Sequence, residues 1–396
     1  MNVLTINCGS SSLKAHLCDV DVGSLSIVTG GAVERIGADA SIRVQGPGRP
    51  PDHSSIVISD HRTALRALLD ALGVERRSVE AIGHRVVQGG AYTQPAIIND
   101  AVIRSIDAGR RLAPLHNGPS LDGILAAGED LPGIPMVAVF DTAFHATMPK
   151  VASQYALPRQ VTLKYGLWRH GYHGIAHRAM VERYAQLNDK AVEDVTLVSL
   201  QLGNGCSATA VLNGRSVDTS MGFTPLEGLV MGTRPGDIDA GAITYLLREA
   251  AWSADDIEQL LNREAGLLGV SGSSGDMATL LEEEAQGRPH ANEAIEMFCY
   301  RARKYIGAYL AVLGRTDAIL FGGGIGERSP EVRRRICEPL EPLGLHIDHG
   351  RNAALTESEG PFHSAGSPIA AWVIPTDEER VIARDTFDCL TGGRQN

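Results

Sequence analysis

Residues 196–220 read TLVSLQLGNGCSATAVLNGRSVDTS, and the punctuation of this stretch decides the fold. An apolar run ends at the Gly203-Asn204-Gly205 turn, and a second run, CSATAVL, follows it. Asn213-Gly214 is the two-residue signature of a hairpin that turns the chain into a third run, RSVDTS. The first forty residues repeat this order. VLTI at 3–6 leads into the polar glycine turn NCGSSSLK at 7–14, then a strand-like run over 15–20 and a looser one over 25–33. The two stretches are offset by about 194 residues, almost half the chain. A β-meander that occurs twice predicts two similar α/β domains, each opening on that meander.

Outward from these meanders the chain alternates helix-period and strand-like segments. Residues 34–55 read as a surface hairpin and loop, and 61–72 carry the apolar period of a helix stopped by Gly73. AIGHRVVQGG at 81–90 is a strand running into a glycine loop, 99–109 a helix, and LAPLHNGPS at 112–120 a loop broken by Pro114 and Pro119. MVAVFDT at 136–142 is a strand with Asp141 at its C-terminal end. Residues 150–175 look irregular, and helices are expected from about 176 to 187, at 239–250 and at 254–261. A glycine- and serine-rich stretch covers 266–277. The longest helix covers 289–313, with Ala294, Met297, Phe298, Ala302, Tyr305 and Tyr309 near one side. DAILFGGGIGERSPEVRRRICEPL at 317–340 reads as strand, glycine loop and helix, and AAWVIPTDEERVIARDTF at 370–387 as a strand entering a C-terminal helix. The expected organisation is an N-terminal domain over 1–148, joined by the helix at 379–396, and a second domain over 149–378.

Composition narrows the function. The chain has 396 residues with 36 Lys plus Arg against 47 Asp plus Glu, a formal charge of −11. This argues against a non-specific nucleic-acid binder or an anionic-membrane binder, while leaving room for a local basic pocket. The 44 glycines exceed the usual share of about 7%. Many turns must therefore approach something closely or take positive φ. Six cysteines are scattered without a CxxC pair, which favours buried reduced thiols over disulfides or a zinc site. The N-terminus shows no signal-peptide pattern and no segment approaches a membrane span, so the cytoplasm is the expected location.

Three glycine turns carry the chemistry. NCGSSSLK lacks the GxxxxGK[ST] pattern, yet its N–H groups and serine hydroxyls could line an anion with Lys14 as a point charge. GNG at 203–205 and GGGIG at 322–326 are further phosphate-loop candidates, the latter set between a strand and a helix. Three such loops suggest a nucleotide. Arg85, inside a strand-like run, and Arg234, in MGTRPGDID, can hold a phosphoryl group or a carboxylate in planar fashion. The bland alternative for each is a salt bridge, with Asp237 or Asp239 available to Arg234. His116, His170, His173 and His177 lack HExxH spacing, so zinc is disfavoured. His173 sits between Gly171 and Gly174 as a loop histidine able to stabilise charge on a reacting oxygen. Asp141 and Glu378, at the ends of strand-like runs, could orient a substrate or hold Mg²⁺.

These residues resemble the acetokinase family, which contains acetate, propionate and butyrate kinases. The matching runs are NCGSSSLK, HRVV at 84–87, LAPLHN at 112–117, VFDTAFH at 139–145, YHG at 172–174, LGNG at 202–205, DTSMGFTPLEGL at 218–229, MGTRPGDID at 231–239, GLLGVSG at 266–272, GGIGE at 323–327 and IPTDEE at 374–379. The resemblance implies a duplicated ribonuclease-H-like fold, shared with sugar kinases, Hsp70 and actin, with two domains around an active-site cleft. It implies reversible phosphoryl transfer from ATP to acetate, giving acetyl phosphate and ADP, with Mg²⁺ or alternatively Mn²⁺, and a homodimer. Asn7 and Glu378 would help to bind the metal. Arg85 would contact the carboxylate or acyl phosphate, Asp141 would be the essential carboxylate, and His173 and Arg234 would stabilise the transferring group. Val87, Leu115, His116, Tyr172 and Pro225 would form the acyl site. Lys14, Gln201, Leu202, Gly203, Asn204, Gly205, Asp276, Met277, Ala278, Gly323, Gly324, Ile325, Gly326, Glu327 and Arg328 would form the nucleotide side.

The chain departs from the family pattern at Gln201 (usually His), Ala278 (usually Arg), Arg328 (usually Asn), Tyr172 (usually Phe) and Gln88 (usually His). Three of these lie on the nucleotide side, which makes a relaxed donor site, or a non-ATP donor, the alternative within the family. A propionate or butyrate kinase is another alternative. A non-catalytic nucleotide-binding scaffold is the reading from a different class, and the intact Arg85, Asp141, His173 and Arg234 speak against it.

Overall fold

The structure, a computed structural model, describes residues 1–37, 39–46 and 49–392, and their side chains except those at 45, 46, 49–57, 114 and 115. It divides into two units, Met1–Phe144 with Asp377–Asn396, and His145–Thr376.

The first unit is built on β1 (Asn2–Cys8), β2 (Ser12–Asp21), β3 (Ser24–Glu34), β4 (Asp39–Gly46), β5 (Arg49–Val57), β6 (Ala81–Val86), β7 (Ala96–Ile97) and β8 (Met136–Phe140). Their order is β5-β4-β3-β2-β1-β6-β8-β7. The second unit is built on β9 (Leu197–Leu202), β10 (Cys206–Leu212), β11 (Arg215–Thr219), β12 (Ala318–Gly322), β13 (Gly360–Pro361) and β14 (Ala370–Val373), in the order β11-β10-β9-β12-β14-β13. Both sheets share one central pattern. An antiparallel meander contributes its third, second and first strands, and two strands parallel to the first follow, β6 and β8 in one unit and β12 and β14 in the other. This is the ribonuclease-H-like arrangement, present twice.

Alternation along β1 explains how its sheet is covered. Leu4 and Ile6 face one way and join Leu65, Leu68 and Leu69 of the helix His61–Leu72 and Ala126 and Ala127 of the helix Pro114–Asp130. Val3 faces the other way and packs with Ala81, Val20 and the Ala383 and Phe387 side chains of the C-terminal helix Glu378–Thr391. Burying each large apolar side chain stabilises the unit by about 1.5–3 kcal/mol. In the second unit the helices Gly174–Leu187 and Pro289–Leu313 pack against β9 and β10 respectively.

Several expectations change. Residues 34–55 are largely strand, since β4 and β5 extend the first sheet. Pro114 and Pro119 do not break the chain. Pro114 opens a 17-residue helix at its first position, where its missing N–H is not needed, and Pro119 sits within it. The buried Asn117 amide holds this helix in place, accepting from Gln88 N at 2.9 Å and donating to Gln88 O at 3.0 Å and Ile106 O at 3.1 Å. Tertiary anchoring thus overrides the local signal. The stretch 150–175 contains two short helices, Lys150–Ser153 and Arg159–Tyr165, and the glycine-rich 266–277 contains Gly266–Ser271. Met297 is 40% exposed rather than part of the buried side of its helix. GGGIG is not a free loop, because Gly323–Arg328 is itself a short helix.

Candidate active site

In the first unit, the strand ends gather a charged cluster. Asn7 lies on β1, Arg85 on β6, Asp141 just past β8, and Glu378 opens the C-terminal helix. Arg85 grips the fully buried Asp141 with two bonds, Nε to Oδ1 at 3.1 Å and Nη2 to Oδ2 at 2.7 Å. Its Nη1 donates to Asn7 Oδ1 at 3.3 Å and lies 3.5 Å from Glu378 Oε2, which accepts from Asn7 Nδ2 at 3.2 Å. Burial works against the Arg85 charge, but the Asp141 and Glu378 carboxylates outweigh it and hold the guanidinium more firmly protonated than usual. Burial pushes the Glu378 carboxyl above its ordinary range. Arg85 opposes that rise and Asp141 adds to it. Lys14 sits across from Asn7 in the β1–β2 pairing, with its side chain exposed.

In the second unit, an arginine is buried without such compensation. Arg234 is only 9% exposed, and its Nη1 donates to the Pro225 carbonyl. Among the described residues no carboxylate pairs with it. Asp237 instead accepts from Tyr305, Gly228 N and Arg301, and Asp239 caps the helix Ala240–Glu249 through Gly241 N. Burial accordingly pulls the Arg234 pKa down, partly opposed by Cys206. A Cβ on Gly205 would stand 2.8 Å from Arg234 Nη2 and 3.4 Å from His173 Nε2. Glycine at 205 therefore lets a guanidinium and an imidazole converge on the turn after β9. His173 takes a left-handed conformation, φ 59°, immediately before the helix Gly174–Leu187.

A model of the acetokinase family matches residues 2–384. The chain belongs to the acetokinase family. It is 46% identical over 412 residues to the acetate kinase of Solibacter usitatus (strain Ellin6076), covering 99% of each chain. Among solved structures it is similar to the acetate kinase of Porphyromonas gingivalis, with 35% identity, TM-score 0.89 and coverage of 98% and 99% of the two chains. It is equally similar to a propionate kinase of Francisella tularensis subsp. tularensis SCHU S4, with 36% identity, TM-score 0.90 and the same coverages.

The residues expected on the nucleotide side lie in the second unit, except Lys14 in the first. Gln201 and Leu202 end β9, and Gly203 to Gly205 form the turn. Gly323 has φ 76°, and a Cβ there would meet the Leu202 carbonyl at 2.6 Å, so the two glycine segments touch through backbone. Gln201 Nε2 lies 3.6 Å, and Gly324 N 4.0 Å, from where a Gly203 Cβ would be. The Gln201 Oε1 is buried with no hydrogen-bond partner. Gly232 N donates to Asn204 O at 3.0 Å, and Gly275 packs on Gly232, which brings Asp276, Met277 and Ala278 onto the same side of the turn. Asp276 caps its own helix through Thr279 N at 2.9 Å, Met277 is buried and Ala278 exposed. Glu327 turns inward, accepting from Gly323 N at 2.9 Å and Thr376 N at 3.3 Å. It shapes the glycine turn rather than reaching outward. Ile325 is half-buried, Gly326 buried and Arg328 exposed at the end of this short helix.

The residues expected at the acyl site are found as follows. Val87 is buried and His116 half-buried in the first unit, while the Leu115 side chain lies outside the described residues. Tyr172 and Pro225 are in the second. The Tyr172 hydroxyl, extra relative to the family's usual Phe, donates to the Phe223 carbonyl at 2.7 Å.

Sequence reasoning missed the residues that hold these groups. Arg169 donates to the Thr219, Ser220 and Met221 carbonyls and to Glu227, and Glu227 also takes the Tyr155 hydroxyl at 2.5 Å. Together they pin the segment that carries Phe223 and Pro225. The fully buried Arg333 donates to the Gly326 and Glu327 carbonyls at 2.7 and 2.9 Å, closing the end of the glycine helix. Ser207 and Ser199 lie beside His173 and His177. The HGIAH spacing at 173–177, i and i+4 on a helix, was the available signal.

Proposed function

We propose that the chain is an acetate kinase, transferring the γ-phosphoryl group of ATP to acetate and, in reverse, that of acetyl phosphate to ADP. The single observation that carries this reading is Arg234. A buried guanidinium with no carboxylate partner among the described residues, beside His173 and the glycine turn, calls for an anion, and a phosphoryl group supplies three acceptor oxygens. Acetate is already anionic near pH 7, because its pKa is near that of Glu, about 4.3, so no general base is required. Catalysis then rests on positioning and charge stabilisation.

In this reading the first unit acts as the acceptor and metal domain and the second as the nucleotide domain. Arg85 holds Asp141 in one orientation, and an incoming carboxylate would take over its Nη1 from Asn7 and Glu378. His173 and Arg234 donate to the oxygens of the transferring group, while Gln201, Leu202, Gly203, Asn204, Gly205, Gly323, Gly324, Ile325 and Gly326 accommodate the donor phosphates by close backbone approach. Asp276, Met277, Ala278 and Arg328 flank the rest of the nucleotide, with Lys14 as an added cation for its phosphates. The donor set Asn7, Asp141 and Glu378 presents only oxygens and amide, which suits Mg²⁺ or Mn²⁺. When bound, the metal neutralises phosphate charge.

Val87, Leu115, His116, Tyr172 and Pro225 form the acyl site in this reading. The Tyr172 hydroxyl is taken up by the Phe223 carbonyl, and acetate is the expected acceptor over butyrate. The equal likeness to a propionate kinase makes propionate the second acceptor to test. Ile238, Tyr245, Leu247 and Trp252 leave apolar surface exposed around the helix Ala240–Glu249, which supports a homodimer. Six free cysteines fit a reducing compartment such as the cytoplasm, and no helix of the described residues is long and apolar enough to cross a membrane.

The test is a phosphoryl-transfer assay that crosses acetate, propionate and butyrate with ATP, GTP and pyrophosphate. Acetate with ATP is expected to give the highest kcat/KM. Turnover with none of the donors, or with pyrophosphate and not ATP, would overturn the reading.

A further inference from the structure

A chain of buried polar side chains runs into the second unit behind His173. His173 Nδ1 lies 2.9 Å from Ser207 Oγ. The same oxygen lies 2.7 Å from His177 Nε2, and His177 Nδ1 lies 2.9 Å from Ser199 Oγ. Ser199, Ser207 and His177 are each 0% exposed. The fold makes this alignment. His173 and His177 are one helical turn apart, with His177 N donating to His173 O at 2.9 Å. Ser207 pairs with Gln201 and Ser199 with Thr209 across β9 and β10, so both hydroxyls leave the same face of the sheet, toward that helix.

Proton counting restricts the chain to two directions. Burial, with His145 adding to it, holds His177 neutral, so it carries one N–H. If that hydrogen is on Nε2, it is donated to Ser207. The Ser207 hydroxyl then donates to His173 Nδ1, Ser199 donates to His177 Nδ1, and His173 keeps its hydrogen on Nε2. If it is on Nδ1, every donor reverses and Ser199 must donate elsewhere. The one further acceptor seen for Ser199 is the Met180 thioether at 3.9 Å, which is a poor acceptor. The outward direction gives the Ser199 hydroxyl a strong acceptor and the inward one does not.

We propose that Ser199, His177 and Ser207 form a positioning relay that fixes His173 as the Nε2–H tautomer, so that it presents a hydrogen-bond donor beside Gly205 and Arg234. This deepens the phosphotransfer reading and rests on it for its purpose. With Nδ1 occupied by the Ser207 hydroxyl, the ring is locked in orientation and its outward nitrogen is a donor, as an anionic oxygen requires. Ser199, His177 and Ser207 are positioning residues and touch no reacting atom themselves.

The experiment uses the full chain labelled with ¹⁵N-histidine. Two-bond ¹H–¹⁵N correlations report the tautomer of each ring, and His173→Gln assigns the His173 signals. Wild-type protein is expected to show His173 as the Nε2–H tautomer, and Ser207→Ala to show a mixture. In the phosphotransfer assay Ser207→Ala should lower kcat about threefold to tenfold, the worth of one net hydrogen bond, with little change in acetate KM. His177→Gln keeps an N–H for Ser207 and should stay nearer to wild type than Ser207→Ala. An Nδ1–H tautomer in wild type, or an unaltered tautomer in Ser207→Ala, would overturn the relay. A wild-type protein without phosphotransfer but with a Ser207-dependent tautomer would remove the proposed function and support the relay.

Discussion

The two units end their first strands alike and then diverge. Each places an amide there, Asn7 on β1 and Gln201 on β9. Beside Asn7 the neighbouring parallel strand carries Arg85, whereas beside Gln201 it carries Gly322. The next parallel strand runs into Asp141 in one unit and into the uncharged Ile374-Pro375-Thr376 in the other. The turn after the first strand is also shorter in the second unit, with Leu202 facing Cys206 where Cys8 faces Leu13. One topology thus carries two chemistries. The first unit concentrates side-chain charge and largely satisfies it internally, one guanidinium being shared between two carboxylates. The second leaves its strand ends uncharged and, among the described residues, a buried cation without a carboxylate. A charge cluster that closes on itself orients groups, while one left open recruits a ligand.

The sharpest test of this contrast is the open cation. Arg234→Ala is expected to lower kcat by about 10²–10³ while the protein stays folded, because a donor used in the transition state is lost. A fall below about threefold would make Arg234 a structural arginine. Next comes the closed cluster. Asp141→Asn frees Arg85 from its two-bond anchor, and misplacement of that kind costs on the order of a hundredfold in kcat, with modest change in acetate KM. Near-normal turnover across Mg²⁺ concentrations would reduce Asp141 to a brace for Arg85. A smaller effect, on stability, is expected for Gly322→Ala. Its Cβ would fall 2.3 Å from Met180 Sδ and 2.8 Å from the Ile374 carbonyl, so denaturant unfolding should show a loss of about 1–3 kcal/mol. An unchanged midpoint would mean that the second unit does not need a bare strand end there. Smallest is Gln201→His, which replaces a side chain whose Oε1 has no partner. It should lower the KM for ATP about threefold without altering kcat for acetate. An unchanged KM would take Gln201 out of the donor site.

Much of this was readable from the chain alone, and the misses have physical causes. The doubled meander was legible because its glycine and Asn-Gly turns punctuate strands of ordinary length. Arg85 and Asp141 were legible as chemistry, but their mutual grip was not, since 56 residues separate them. For Arg234 the neighbours in sequence misled. Asp237 stands three residues away yet serves Arg301 and Tyr305 of the long helix, and Asp239 serves the backbone of its own helix. Pro119 read as a breaker because propensity is local, whereas Asn117 holds that turn through Gln88 and Ile106. The Ser207–His177 contact depends on how a helix lies on a sheet, which no spacing encodes.

The helix Glu378–Thr391 has a consequence in time. Its Ala383 and Phe387 cover Val3, Cys18, Val20 and Ala81, and its first residue completes the cluster around Arg85. On the ribosome, residues 1–144 are made first but wait for all of 145–377 before that cover exists. At about 5–20 residues per second the wait is on the order of 10–50 s. In the second unit the helix Gly174–Leu187 is synthesised before the β9 strand it packs against, and the helix Pro289–Leu313 follows β10 within the same continuous stretch. The unit begun first is therefore the last to be sealed, and its charged cluster cannot assemble on a nascent chain that stops short of Glu378.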